Sequence, residues 1–437
     1  MSECRSCTLE IAGLQAREHT PVDSQPMLLT RDFGLVWWSQ VVSQVGDGVT
    51  KLALLWFVYS ITGSALKTTV IGLLQTIPPI LFGPLIGVYL DRLPKKPILI
   101  GMDLTRALLI GVIPCWIGID AFTVDRLYVL VFLHSFAGAI FGPALTASVP
   151  ALVPRTQFTA ANALLQGTTS IGVIVGSALS GIGIAAFSSQ EVLCVNAATY
   201  VLSALCLLPA RFTGVHSQQL SRPASMSVLG DLMEGVRFAF VGQRTILLLI
   251  MTAALYSIGT SAFSTLFPVL GRKMLDLGPV EVGYLWSAFG IGLLAVSFGL
   301  MRLTAWTLHH RVLGIALASA INGVAVFSLL WISNRLWAAV LMTVIGAGIG
   351  VFTPIAWGIL QELSPDHMVG RALTLYGTGA MAAAIAGMAT FGWLTEQYGE
   401  RASVIGIVLI MFATAAMAGG FSGWLRAQPS SLSPSRS

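Results

Sequence analysis

The feature that most constrains this chain is the length of its apolar runs. A helix needs about 20 mostly apolar residues to cross the hydrocarbon of a bilayer. The chain offers twelve such runs, at roughly 35–60, 67–90, 98–119, 127–151, 161–187 and 191–209, then 244–270, 280–303, 311–331, 335–360, 370–394 and 401–425. Of its 437 residues 55% are hydrophobic and 10% charged, whereas soluble domains carry about 25% charged residues. So few charges cannot cover so much apolar surface in water. The reading is an all-α membrane protein of twelve transmembrane helices.

The runs divide as six, a polar linker, and six. The expected organisation is a disordered tail over 1–32, a six-helix bundle over 33–209, a linker over 210–243, a second bundle over 244–426 and a tail over 427–437. Within the linker, Leu229, Leu232, Met233, Val236 and Phe240 share one face and Asp231, Glu234 and Arg237 another. That pattern predicts a short amphipathic helix at the membrane surface. Shifting the chain by 211 places Pro143 on Pro354, Pro154 on Pro365, Gly176 on Gly387 and Gly181 on Gly392. Six spans per repeat give both halves the same orientation, a parallel repeat about the membrane normal. With the amino terminus inside, most loop Lys and Arg fall on the inner side, among them Arg92, Lys95, Lys96, Arg155, Arg211, Arg222 and Arg237. This predicts both termini in the cytoplasm.

Several functions are disfavoured at this level. The net charge of +5 is scattered between apolar runs rather than gathered into a nucleic-acid face. Five cysteines make no disulfide framework. The single C-x-x-C, Cys4 and Cys7, has no further ligands beside it, so no metal is expected. No G-x-x-x-x-G-K-[ST] loop is present, and no cofactor is expected. An enzyme is not expected, and a non-transporting receptor remains a remote alternative.

The first span carries Gln40, Gln44, Asp47 and Lys51 at spacings that put them within about 60° of helix circumference. A charge at bilayer depth costs about 2.5–3.5 kcal/mol on insertion scales. The stripe therefore faces protein or a wet cavity. Asp47 and Lys51 form an i, i+4 pair in the favourable acid-first order. They either neutralise one another and steady the helix, or Asp47 carries a proton with Lys51 as its counter-ion. His134 in span four titrates near neutral pH in water and is a further cavity candidate, or a simply hydrogen-bonded side chain. In span seven Tyr256, Thr260 and Ser264 share a face, and Trp357 and Gln361 in span ten could extend that wall. Hydroxyls and aromatics without dense charge suit an amphipathic substrate, unless they serve only interhelical hydrogen bonding.

Between spans two and three stands "GVYLDRLPKKP", residues 87–97. Gly87, Asp91, Arg92, Lys95 and Lys96 resemble the loop signature of the major facilitator superfamily, with Pro94 where glycine is usual. The resemblance spans residues 33–426 and implies that family's fold. It implies that Asp91 docks on the start of the eleventh helix, near Arg371, and holds the cytoplasmic gate. The plainer reading is a topology anchor. Asp103 with Arg106, and Glu362 with Asp366, His367 and Arg371, would support the loops as gate partners. Gly172, Gly176, Ser177 and Gly181 in "GVIVGSALSG" are similar to the glycine motif of that family's exporters, although Ser177 and Ser180 depart from it. Small residues at this spacing also allow simple close packing. "SQVVSQVGDGVTKLAL", "DLTRAL" and "ALVPRTQFTAANAL" resemble the macrolide-efflux and enterobactin-export branch.

The expected function is proton-coupled export of small amphipathic molecules, such as drugs, macrolides or siderophore-like compounds, by alternating access. Lysophospholipid flipping or uptake are the alternatives. The expected setting is a bacterial inner membrane. The expected partners are a small-molecule substrate and lipid, with no nucleic acid, and the protein is expected to be a monomer.

Overall fold

The computed structural model describes residues 30–90, 93–117, 123–154, 157–212, 244–300, 307–332, 334–364 and 369–427. Among these the chain is helical, with no strand. The helices are α1 (Arg31–Thr62), α2 (Ala65–Leu90), α3 (Lys95–Ile117) and α4 (Val124–Ser148), the last ending in a 3-10 turn at Val149–Ala151. Helix α5 is built in three pieces: α-helical Phe158–Ile171, a π-helical turn at Gly172–Gly176, and α-helical Ser177–Ala186. Then follow α6 (Ser189–Leu207), α7 (Arg244–Met274), α8 (Pro279–Leu300), α9 (Leu308–Ser328), α10 (Arg335–Leu363), α11 (Val369–Tyr398) and α12 (Glu400–Ala427). Twelve candidate spans are long and apolar enough to cross a membrane. The expected linker helix, Asp91, Arg92, Asp366 and His367 lie outside the described residues.

Local sequence explains where the helices start and stop. The Thr30 hydroxyl accepts from the Phe33 N–H and caps α1, and Gly63 ends it in the left-handed conformation at φ 63°, a backbone that glycine adopts without steric cost. Ser188 caps α6 through the Glu191 N–H, and Asn334 caps α10 through the Leu336 N–H. Helix α2 runs without interruption through Pro78 and Pro79.

The two sets of six helices use one packing pattern. In the first, α1 packs on α5 and α6, α3 on α4 and α6, and α2 on α4. In the second, α7 packs on α11 and α12, α9 on α10 and α12, and α8 on α10. The cross-contacts obey the same exchange: α2 meets α11, and α5 meets α8. The shift of 211 that aligned the punctuators carries the start of α4 onto α10, of α5 onto α11 and of α6 onto α12.

Lipid tails are as apolar as leucine, so such helices associate by close packing and interhelical hydrogen bonds. The glycines of α5 serve this purpose in two directions. A Cβ on Gly176 would lie 2.9 Å from the Gly48 Cα, so α5 crosses α1 backbone to backbone. One and a half turns later Gly181 faces the other half, where a Cβ would sit 3.1 Å from the Gly283 Cα of α8. The π turn ends at Gly176. Its Ile174 carbonyl accepts a 2.6 Å hydrogen bond from the Ser287 hydroxyl of α8.

Other contacts between the halves sit at the end of the bundle opposite Arg31 and Ala427. Glu396 of α11 accepts from Ser64 Oγ and from the N–H groups of Ala65 and Leu66 at the start of α2, at 3.1, 2.9 and 3.3 Å. The Arg272 guanidinium of α7 lies over the rings of Trp56 and Tyr59 of α1, 5.3 and 5.8 Å from their centroids.

Candidate functional site: a charged cluster inside the first half

Helix α1 is the most enclosed span, flanked by α2, α5 and α6 and reaching α7. Its close approach to α6 has a sequence cause. At Gly46 a Cβ would collide with Asn196 and Thr199, so only glycine lets α6 come this near. The Asn196 amide then donates to Thr50 at 2.5 Å and accepts from Thr199 at 2.8 Å. One turn further along α6, Tyr200 is fully buried and its hydroxyl donates to Asp47 Oδ1.

Helix α3 supplies the counter-charge. Arg106 Nη1 stands 3.8 Å from Asp47 Oδ2, and Nη2 pairs with Asp103 Oδ1. The guanidinium carbon lies over two rings, 4.2 Å from the centroid of Phe141 of α4 and 4.4 Å from that of Tyr200. The other Asp103 oxygen accepts from Ser203 at 2.7 Å. That hydroxyl has a single proton, so Ser39 of α1 donates in turn to Ser203, at 2.9 Å. Finally His134 Nε2 of α4 lies 2.8 Å from the Tyr200 hydroxyl. Four helices thus converge on two carboxylates and one guanidinium.

The two acids differ in access. The Asp103 side chain is 0% exposed and fully engaged, whereas Asp47 is 30% exposed and only loosely held by Arg106. Two carboxylates face one guanidinium, and Asp47 is the more accessible of the two acids.

The expected Asp47–Lys51 ion pair does not form. Tyr200 and Arg106 reach Asp47 from neighbouring helices, and the Lys51 ammonium instead stands 5.8 Å from the centroid of Trp286 on α8. Lys51 is exposed and makes no ion pair among the described residues. Asp103 and Arg106 were expected beside the loop as gate partners. They lie eight and eleven residues into α3, about 12 and 16 Å along its axis at 1.5 Å per residue, and belong to the Asp47 cluster. Gln40 is buried with its amide nitrogen unpartnered, and Gln44 is half-buried.

Lys95 and Lys96 close the loop onto carbonyls: Lys95 on Leu90 and Leu93, and Lys96 on Leu208 of α6 at 2.7 Å. The backbone at Gly87 belongs to α2. Glu362 pairs with Arg311 of α9 at 2.6 Å, and its loop neighbours at 365–368 and the Arg371 side chain are outside the described residues. Gly172 packs against the Gln44 backbone, and Ser177 is buried with its carbonyl close to Gly283.

The second half carries no comparable cluster among the described residues. Tyr256 is 7% exposed, stacked on Phe352 with centroids 4.1 Å apart, within the apolar core. It is therefore not on an open wall as expected. Thr260 donates back to the Tyr256 carbonyl, while Ser264 is half-buried. Trp357 and Gln361 are exposed.

Tyr200, Ser203 and Glu396 escaped the sequence reading. The first two had a signal: Asn196, Tyr200 and Ser203 repeat at helical spacing along an otherwise apolar span. Glu396 had none, since its role depends on a helix start more than 300 residues away.

The model of the "Transmembrane secretion effector" family matches residues 25–429. The chain belongs to this family of major facilitator transporters. The multidrug efflux pump Tap of Mycolicibacterium fortuitum is 25% identical to the transporter over 86% of this chain and 92% of its own. Macrolide efflux protein A of Streptococcus pyogenes is 24% identical over 79% and 85%. Among solved structures, a peptide transporter POT superposes with a TM-score of 0.72 at 13% identity, covering 92% of this chain and 96% of its own. A bacterial homologue of the lysosomal transporter Spinster, inward-facing and unoccupied, gives 0.63 at 14% identity, covering 91% and 97%. At such identities the structures establish the fold alone. The transporter is a multi-pass membrane protein.

Proposed function

We propose that this transporter exports small amphipathic molecules in exchange for protons. Its two halves would rock about a central passage while both termini stay in the cytoplasm of a bacterial inner membrane. The single observation that carries the coupling is Asp47: a partly open carboxyl deep in the most enclosed span, between a guanidinium and a phenol. Ionised, Asp47 attracts Arg106 and accepts from Tyr200. Protonated, it releases Arg106 to Asp103 alone. A charge change at this point alters how α1, α3 and α6 hold one another, which is what a proton must do to bias rocking.

The relatives named for multidrug and macrolide efflux favour export and an amphipathic substrate. The polar contacts joining the halves at the end away from Arg31 and Ala427 fit a state open toward the cytoplasm, ready to load.

Inverted membrane vesicles with an imposed pH gradient test this reading. Acidification of the lumen should drive accumulation of a transported dye or macrolide, and Asp47→Asn should abolish it. Accumulation by the variant equal to wild type would remove Asp47 as the carrier. Gradient-driven loss from the vesicles would mean uptake rather than export.

A further inference from the structure

The Tyr200 hydroxyl has one proton and stands between Asp47 and His134, with the Asn196 side chain of α6 beside it. It donates to Asp47 on α1, and at 2.8 Å it meets His134 Nε2 on α4. A phenol hydroxyl donates once and accepts elsewhere. With Asp47 ionised, the phenol proton goes to the carboxylate, and a His134 proton on Nε2 donates to the Tyr200 oxygen. With the proton on Asp47 Oδ1, the oxygen that faces the phenol, the carboxyl donates to Tyr200, the phenol proton turns to His134, and Nε2 accepts. The Nε2–H tautomer therefore fits the ionised state and the Nδ1–H tautomer the protonated one.

We infer that His134 and Tyr200 form a relay in which the direction of two hydrogen bonds reads the protonation of Asp47 and hands it to α4. His134 is a positioning residue here, since it reaches Asp47 only through the phenol. The inference rests on the proposed role of Asp47 in coupling.

The relay has somewhere to lead. Helix α4 packs on α2, and α2 forms one of the two main seams with the other half, against α11. Asp47 itself sits on α1, which reaches the other half chiefly at the far end. A change in the α4 bond thus arrives at the seam by a second route.

The surroundings leave few competitors for His134. Helix α3 presents Asp103 and Arg106, which pair with each other, Arg106 also standing 3.8 Å from Asp47 and keeping its Nε buried without a hydrogen-bond partner. Helix α6 presents Tyr200, and α1 presents Asp47. Helix α2 has no titratable side chain between Lys67 at one end and Tyr89 at the other.

The test is a set of His134 and Tyr200 variants read by two pH profiles. One is transport in inverted vesicles. The other is the carboxylic-acid infrared band of Asp47, isolated as the difference between each protein and its Asp47→Asn counterpart in reconstituted membranes. His134→Leu removes the donor that supports the phenol's bond to the ionised carboxylate. It should move both midpoints upward by about 0.5–1 pH unit, a cooperative fraction of a charge-assisted hydrogen bond. Tyr200→Phe should move them up at least as far, and His134→Leu on that background should add nothing. His134→Gln can donate or accept, and should restore a midpoint near wild type, which guards against a general folding defect. Unmoved midpoints in His134→Leu, or shifts that add in the double variant, would overturn the relay. If the infrared shifts appear while no variant shows gradient-driven transport, the relay holds and the exchange mechanism fails.

Discussion

The Oε2 atom of Glu396 accepts a 2.9 Å hydrogen bond from the Ala65 N–H, tying the end of α11 to the start of α2 in the other half. The same oxygen also takes the Leu66 N–H and the Ser64 hydroxyl. The first amides of a helix lack partners within it, so an acid from another helix both satisfies them and meets the positive end of the dipole. When the halves part at this end, α2 loses that cap.

Glu396→Gln keeps the shape and removes the charge. Glu396 is exposed, so the effect is modest: a roughly two- to fivefold shift in population toward the state open at this end. Spin labels at Lys67→Cys and Gln397→Cys, in a background without native cysteines, should show a larger long-distance population by pulsed resonance. An unchanged distance distribution would mean the contact does not hold the gate.

Arg106→Gln strands the fully buried Asp103. Breaking a buried pair from one side costs about 3–5 kcal/mol. Thermal denaturation of the purified protein should report a large loss for Arg106→Gln and substantial recovery in the double variant with Asp103→Asn. Equal melting of single and double variants would contradict the pairing.

Lys51→Gln should leave the pH midpoint of transport close to wild type, because Lys51 is not the partner of Asp47. Arg106→Lys should move it, since an ammonium cannot lie over the Phe141 and Tyr200 rings while meeting both acids. Vesicle transport across a pH series measures both. A midpoint that follows Lys51 and ignores Arg106 would restore the local pair.

Gly181→Leu places a side chain where α5 and α8 touch backbone to backbone. The halves can then no longer close at this seam. Transport should fall at least tenfold, while membrane insertion, read by expression and protease pattern, stays intact. Wild-type transport by this variant would show that the seam tolerates a gap.

Much of the molecule was readable from its sequence. Apolar runs of bilayer length fixed the number of helices, and the common shift of 211 carried the starts of α4, α5 and α6 onto those of α10, α11 and α12. The spacing of Gln40, Asp47 and Lys51 showed that one face of α1 was not for lipid. The same local rule then misled, by pairing Asp47 with the nearest cation on its own helix. Asp103 and Arg106 were visible as an i, i+3 pair, but their depth along α3 was given to the loop.

The sequence by itself determined that this chain spans a membrane as two related bundles, because hydrophobic length and helical period are local quantities. Only the tertiary structure decided which side chains meet Asp47. Tyr200 is 153 residues away along the chain, and it arrives through the lateral order of the helices. That order comes from the close backbone crossing at Gly48 and Gly176, from the room Gly46 leaves for Asn196 and Thr199, and from the polar groups that must find partners in a medium without water. No periodicity along a single helix encodes it.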